Sequence, residues 1–340
     1  MTGSRQFFRI FSAFLVASVL LFLFNRYVAF WLDWPDLSGT LAYFGANSTL
    51  TTTQFLQGCT LWLVYLLSAI FIIRYVRRTP EVGMADDAER YTAMAYFVVR
   101  AAFWSVFFIG VVDAVVSLLR VEEVMTVWVG QEWTTILDQA RTRGLYVHYP
   151  LIGLALIIAW FTRGISFIWL AFLVVLAEFA IVLSRFIFSY EQAFMGDLVR
   201  FWYAALFLFS SAYTLVEGGH VRVDVLYAGL SQRAQAWVNA VGSLILGLPL
   251  CWTILALGMG SKQGSLIAPV INFEISQSGY GMYVKYLMGA FLLVFAVSMA
   301  IQFVSYFLSS VALLAGEVEP TANESERDDA QSALLTQEAV

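Results

Sequence analysis

Apolar residues fall along this chain in long blocks separated by short polar segments, and several blocks reach the ~20 residues that a helix needs to cross ~30 Å of hydrocarbon. The pattern predicts eight spans: Phe7–Leu32, Phe55–Val76, Met94–Leu119, a short Tyr149–Phe161, Ile165–Phe188, Leu198–Val216, Ala234–Leu257 and Val284–Leu313. The first block has an apolar core, Ile10–Phe24, that is a little long for a cleaved leader. It ends in Asn25-Arg26 and aromatics rather than small residues, so it reads as an anchor.

Between the third and fourth blocks, Val121–Val147 has no span of its own. Val124, Val127, Trp128 and Trp133 predict an amphipathic helix on the outer surface, with a solvated loop as the alternative. Lys/Arg bias sets orientation. It is slight overall, but Arg74, Arg77 and Arg78 stand opposite an Asp33–Gln54 loop with no Lys or Arg. The expected fold class is therefore an all-α integral membrane protein of about eight helices with both termini cytoplasmic. Its parts are an N-terminal membrane region, 1–164, a four-helix unit, 165–315, and an acidic tail, 316–340, that reads as disordered.

Composition agrees. At 60% hydrophobic and 13% charged, the chain has about half the charge of a soluble domain. An aromatic share of 16% with 11 Trp suits interfacial belts. Net charge −5 without a basic tract argues against nucleic acid. Cys59 and Cys251 both lie in apolar blocks and read as small packed hydrophobes. His148 and His220 cannot supply the four axial ligands of a two-haem cytochrome, and neither sits mid-span. No phosphate loop, nucleophile elbow or zinc motif appears, and no cofactor is implied. Nor is there a clear pair of Gly/Pro-broken helices of the kind that builds a carrier's own substrate site.

Four features could carry chemistry. Gly218-Gly219-His220-Val221-Arg222-Val223-Asp224 reads as a helix stop, then a short in-plane amphipathic helix, with Ser231 capping the next span. His220 and Arg222 remain over, for headgroup contact or docking to another subunit. Arg185 and Arg200 flank the turn that holds Glu191 and Asp197, and an Arg185–Asp197 pair would pin that hairpin. Glu178 lies mid-span, where a charge costs about 3 kcal/mol or more unless it is partnered or protonated. It reads either as a proton or sodium site or as an interhelical hydrogen bond. Asp113 lies nearer the outer end of its span and is expected to be solvated. Ala236, Ala240, Ser243 and Gly247 form a small-residue stripe suited to close helix approach, and Pro249 should bend the same helix.

Several pieces occur in an order that resembles the small membrane subunit of tripartite ATP-independent periplasmic (TRAP) transporters, over about 165–313. They are Arg185-Phe186-Ile187-Phe188, Asp197-Leu198-Val199-Arg200, Gly218–Asp224, Glu274-Ile275-Ser276, and then Lys285 and Gly289. Gly196 stands where a second acidic residue is common, Phe194 near a usual Trp, and Gly281-Met282 where a proline is usual. The first four spans lie outside the resemblance. What it implies is a scaffold around a large permease that carries the sodium and substrate sites. A periplasmic binding protein would deliver an organic anion, commonly a carboxylate, in a bacterial inner membrane. The partners implied are that permease, the binding protein through the complex, and membrane lipids. Two other classes stay open: a stand-alone carrier using Glu178 and Asp113, and a membrane anchor of an electron-transfer complex.

Overall fold

The computed structural model describes residues 2–37, 40, 51–163, 168–216, 227, 229–275 and 281–317. Among these residues there are ten helices and no strands: α1 Thr2–Trp31, α2 Thr52–Arg78, α3 Met84–Val121, α4 Met125–Leu137, α5 Ala140–Phe161, α6 Ile168–Phe188, α7 Ala193–Val216, α8 Gln232–Gly258, α9 Ile267–Asn272 and α10 Lys285–Leu314. Eight of them, all but α4 and α9, are long and apolar enough to cross a membrane. The Gly218–Asp224 stretch, Ser276 and the tail from 318 lie outside the described residues.

Two spans are longer than expected. α3 begins at Met84 rather than near 94. Its 38 residues extend about 57 Å, well beyond the hydrocarbon. Asp86 helps start it by accepting from the Gly83 N–H at 2.8 Å. The fourth span begins at Ala140 rather than Tyr149. Two arginines, a histidine and Pro150 disguise its first turns as a loop. The backbone stays helical because it widens over Gly144–His148, where the Tyr149 N–H reaches back to the Gly144 carbonyl. A widened turn of this kind spreads the ladder to five-residue steps just before the proline, which has no N–H to contribute. α8 repeats the device: its turn widens over Ser243–Gly247, immediately before Leu248-Pro249. The segment before α5 contains a helix, α4, with Val127, Trp128 and Trp133 exposed.

α10 is the axis of the bundle and the most deeply buried helix. One layer of core packs Phe103, Ile109, Phe201, Phe209 and Phe291 around its Tyr286 end. A second sets Val16, Val19, Cys251 and Leu255 against Ala296–Val304. A third, at the Leu308 end, holds Met84, Ala88 and Ala240. The small-residue stripe of α8, suited to close approach, faces α10. Ala236, Ala240, Ser243 and Gly247 are buried, and a Cβ on Gly247 would stand 2.7 Å from the Phe303 ring. Ser231 caps α8, accepting from the Ala234 N–H at 3.4 Å. α2 packs chiefly on α1 and presents the rest of its surface outward. Cys59 lies on that outward surface, whereas Cys251 is buried.

Candidate functional site: a buried polar seam

Polar side chains inside a membrane bundle must be paired, since neither lipid nor packed hydrocarbon can solvate them. In this chain they concentrate where the first four spans meet the last four. Asp113, on α3, is 0% exposed, as are Arg143 and His148 of α5. The Asp113 Oδ1 accepts from Arg143 Nη1 at 3.1 Å and lies 3.1 Å from His148 Nε2, while Oδ2 accepts from the Tyr283 N–H at 2.9 Å. The carboxylate is thus bonded on both oxygens, and the expectation that it would be solvated is corrected.

The widened turn of α5 makes this geometry possible. Residues five apart in a regular helix point about 140° away from each other. Over one five-residue turn, Arg143 and His148 come onto one face, and both address Asp113. Arg143 Nε also donates to the Leu137 carbonyl at 2.7 Å, and its guanidinium stacks 4.1 Å from the centre of the Tyr283 ring. His148 Nδ1 lies 2.8 Å from Tyr286 Oη. A carboxylate can only accept, so Nε2 carries a proton facing Asp113, and Nδ1 shares a hydrogen bond with the Tyr286 hydroxyl. The guanidinium of Arg143 supplies a counter-charge to the carboxylate. A Cβ on Gly144 would stand 2.4 Å from the Phe273 ring and 3.0 Å from Tyr286 Oη, so the glycine makes room for this contact.

The seam continues on both sides. Arg120 Nη2 donates to the Gly281 carbonyl at 2.7 Å and the guanidinium lies 4.5 Å from the Tyr283 ring centre. Tyr283 Oη donates to the Asp138 carbonyl at 3.0 Å. Lower down, Trp202 of α7 fits against Gly110 of α3, where a Cβ would stand 2.4 Å from its ring nitrogen, and donates to the Val106 carbonyl at 2.9 Å. Outside the spans, Tyr190 donates to Glu122 at 2.6 Å; burial first, and then that carboxylate, push the phenol up to about 12. At the opposite end of the bundle, buried Arg9 binds Asp87 at 2.7 Å and the Thr79 carbonyl at 2.7 Å. Glu317 joins Arg5 at 2.8 Å to the Met84 N–H at 2.9 Å. Between the ends, Ser305 and Gln302 of α10 bond to Ala88 and Thr92 of α3. These contacts tie the helices together from one end of the interior to the other, although Arg120 Nη1 and Arg143 Nη2 are buried without a hydrogen-bond partner among the described residues.

The residues singled out in the sequence are placed differently. Arg185 does not pair with Asp197. It lies exposed, 3.6 Å from Glu191. Asp197 accepts from Arg200 at 3.4 Å and from the Met282 N–H at 3.1 Å, because the approach to α10 folds over the head of α7. Glu274 and Lys285 do come together, at 2.6 Å. Glu178 is exposed on α6 and makes no interhelical hydrogen bond among the described residues. The seam itself was missed, although its sequence signal exists: Asp113, Arg143 and His148 flank neighbouring ends of successive apolar blocks.

An all-helical bundle with eight membrane-length spans and ion pairs sealed between helices is a multi-span membrane protein. Residues 173–313 match the family of tripartite ATP-independent periplasmic transporters, DctQ component. This bears out the resemblance carried by the motifs of that region, and it places the match from within α6 to the last turn of α10, less than half of the chain. The additional apolar helices before it, α1 to α5, are joined to it by the seam. None of the curated proteins and none of the solved structures matches the chain.

Proposed function

We propose that this chain is the small membrane scaffold of a TRAP transporter, enlarged by an N-terminal region fixed rigidly to it. In this reading the protein transports nothing alone and is not an enzyme. It supports a large permease subunit in sodium-coupled uptake of an organic anion, of carboxylate class, supplied by a periplasmic binding protein. It sits in a bacterial inner membrane with both ends of the chain cytoplasmic, the side favoured by Arg74, Arg77 and Arg78. Its parts are 1–164, 165–315 and a tail from 316; the family motifs Arg185, Asp197, Arg200, Gly218, Gly219, His220, Arg222, Asp224, Glu274, Ser276 and Lys285 then serve the fold and its contacts.

The observation that carries the proposal is the family match over 173–313. Two features support a static role. Asp113, one of the two carboxylates a carrier could have used, has both oxygens bonded to described donors. His148, a possible haem ligand, has both ring nitrogens engaged. The test is reconstitution with a sodium gradient and the binding protein. Uptake is expected only when the large permease is present. Saturable uptake by this chain alone would overturn the proposal.

A further inference from the structure

Glu178 is the eleventh of the 21 residues of α6, about 15 Å along the axis from either end. A glutamate side chain does not span that distance, so it cannot snorkel to an interface. The side chain is exposed and bonds to nothing among the described residues. The contrast with Asp113 is instructive, since there both oxygens of an intramembrane carboxylate are bonded to donors on α5 and beside α10.

The rest of α6 shows which way Glu178 points. Leu170, Leu173 and Ala177 are buried in the core, and α6 packs chiefly on α7. Glu178 is turned about 100° from that row. It shares its face with Val175 and Val182, both exposed. The outward face of α2 is different. Leu63, Leu66, Leu67, Ile70 and Phe71 are exposed there, and no charged residue occurs from Phe55 to Ile73. That face is built for lipid. A carboxylate at mid-depth is unfavourable against lipid and favourable only against a donor.

We propose that the Val175–Glu178–Val182 face of α6 docks a transmembrane helix of the large membrane subunit, which offers Glu178 a hydrogen-bond donor or a cation at mid-depth. This rests on the scaffold reading above and deepens it by naming the surface of contact. A second copy of this chain is the wrong occupant. A symmetric contact through this face would set one Glu178 against another, two acidic groups that bond only after one takes up a proton, whereas a donor on a different subunit satisfies the carboxylate directly.

The test uses the full chain co-expressed with the other subunits. A photoreactive benzoylphenylalanine in place of Val182 leaves Glu178 intact, and the same residue in place of Phe71 on α2 is the control. Val182 is expected to give an adduct with the large subunit, and Phe71 none. Glu178→Leu should lower the recovered large subunit about tenfold relative to this chain, and Glu178→Gln, which keeps the hydrogen-bonding capacity, should retain it. Adducts at Val182 with lipid alone, or with a second copy, overturn the proposal, as does full recovery with Glu178→Leu. If the unmodified chain recovers no large subunit, the scaffold reading fails and this surface with it. If the subunit is recovered and Val182 does not reach it, only the surface is wrong.

Discussion

Asp113 and Arg143 have no water to fall back on. Removing one partner leaves the other charged and dry, which typically costs about 3–5 kcal/mol, although the intact pair is no stronger than a hydrophobic substitute. We therefore expect Arg143→Ala and Asp113→Ala each to lower the detergent melting temperature by several degrees. The double variant should lose less than the sum, with coupling of about 1 kcal/mol or more in a double-mutant cycle. Additive losses would mean that the two residues act independently. None of this was legible from residue type alone. An aspartate near a span end is as compatible with solvent as with a pair, and only three-dimensional packing decides. Glu178 shows the converse: its mid-span position was readable, whereas its outward direction depended on which face α6 buries.

At the scale of elements, helix number and order could be read from apolar blocks because burial in hydrocarbon demands them. α5 was cut short because its first nine residues carry Arg141, Arg143 and His148, which look like a loop until the widened turn folds two of them inward. That turn offers a paired test on one helix. Gly144→Ala forces a Cβ to within 2.4 Å of Phe273 and against Tyr286, and overpacking of this kind costs about 1–3 kcal/mol. Gly153→Ala meets nothing within 4 Å and should be neutral or stabilise by up to about 1 kcal/mol. If both variants melt alike, Gly144 is not there to admit the tyrosine.

At the scale of the whole molecule, the division at about 164 follows a boundary of resemblance, not of packing. α3 contacts both α7 and α10 extensively, and the polar contacts run the length of the interface. A chain split within 164–167 and expressed as two polypeptides should therefore co-purify as one complex in mild detergent. Separate elution of the two parts would show that the covalent link, and not the seam, holds them. The motifs of the second part carried its resemblance in the sequence, but nothing in them could reveal that the first part is keyed to it through Tyr283, Tyr286 and Trp202.

The spacing of the seam along the chain also sets an order of events during synthesis. Asp113 meets Arg143 across 30 residues but waits 170 residues for the Tyr283 amide. At about 5–20 residues per second, the cation arrives within about 2–6 seconds, whereas the last donor arrives after about 9–34 seconds. A nascent α3 thus enters the bilayer with a bare carboxylate, acquires its counter-charge as soon as α5 emerges, and is locked only when the final span is threaded. The α3–α5 hairpin becomes the template onto which the family-like helices are laid, so the part of the protein that looks like an addition is the part that the ribosome makes ready first.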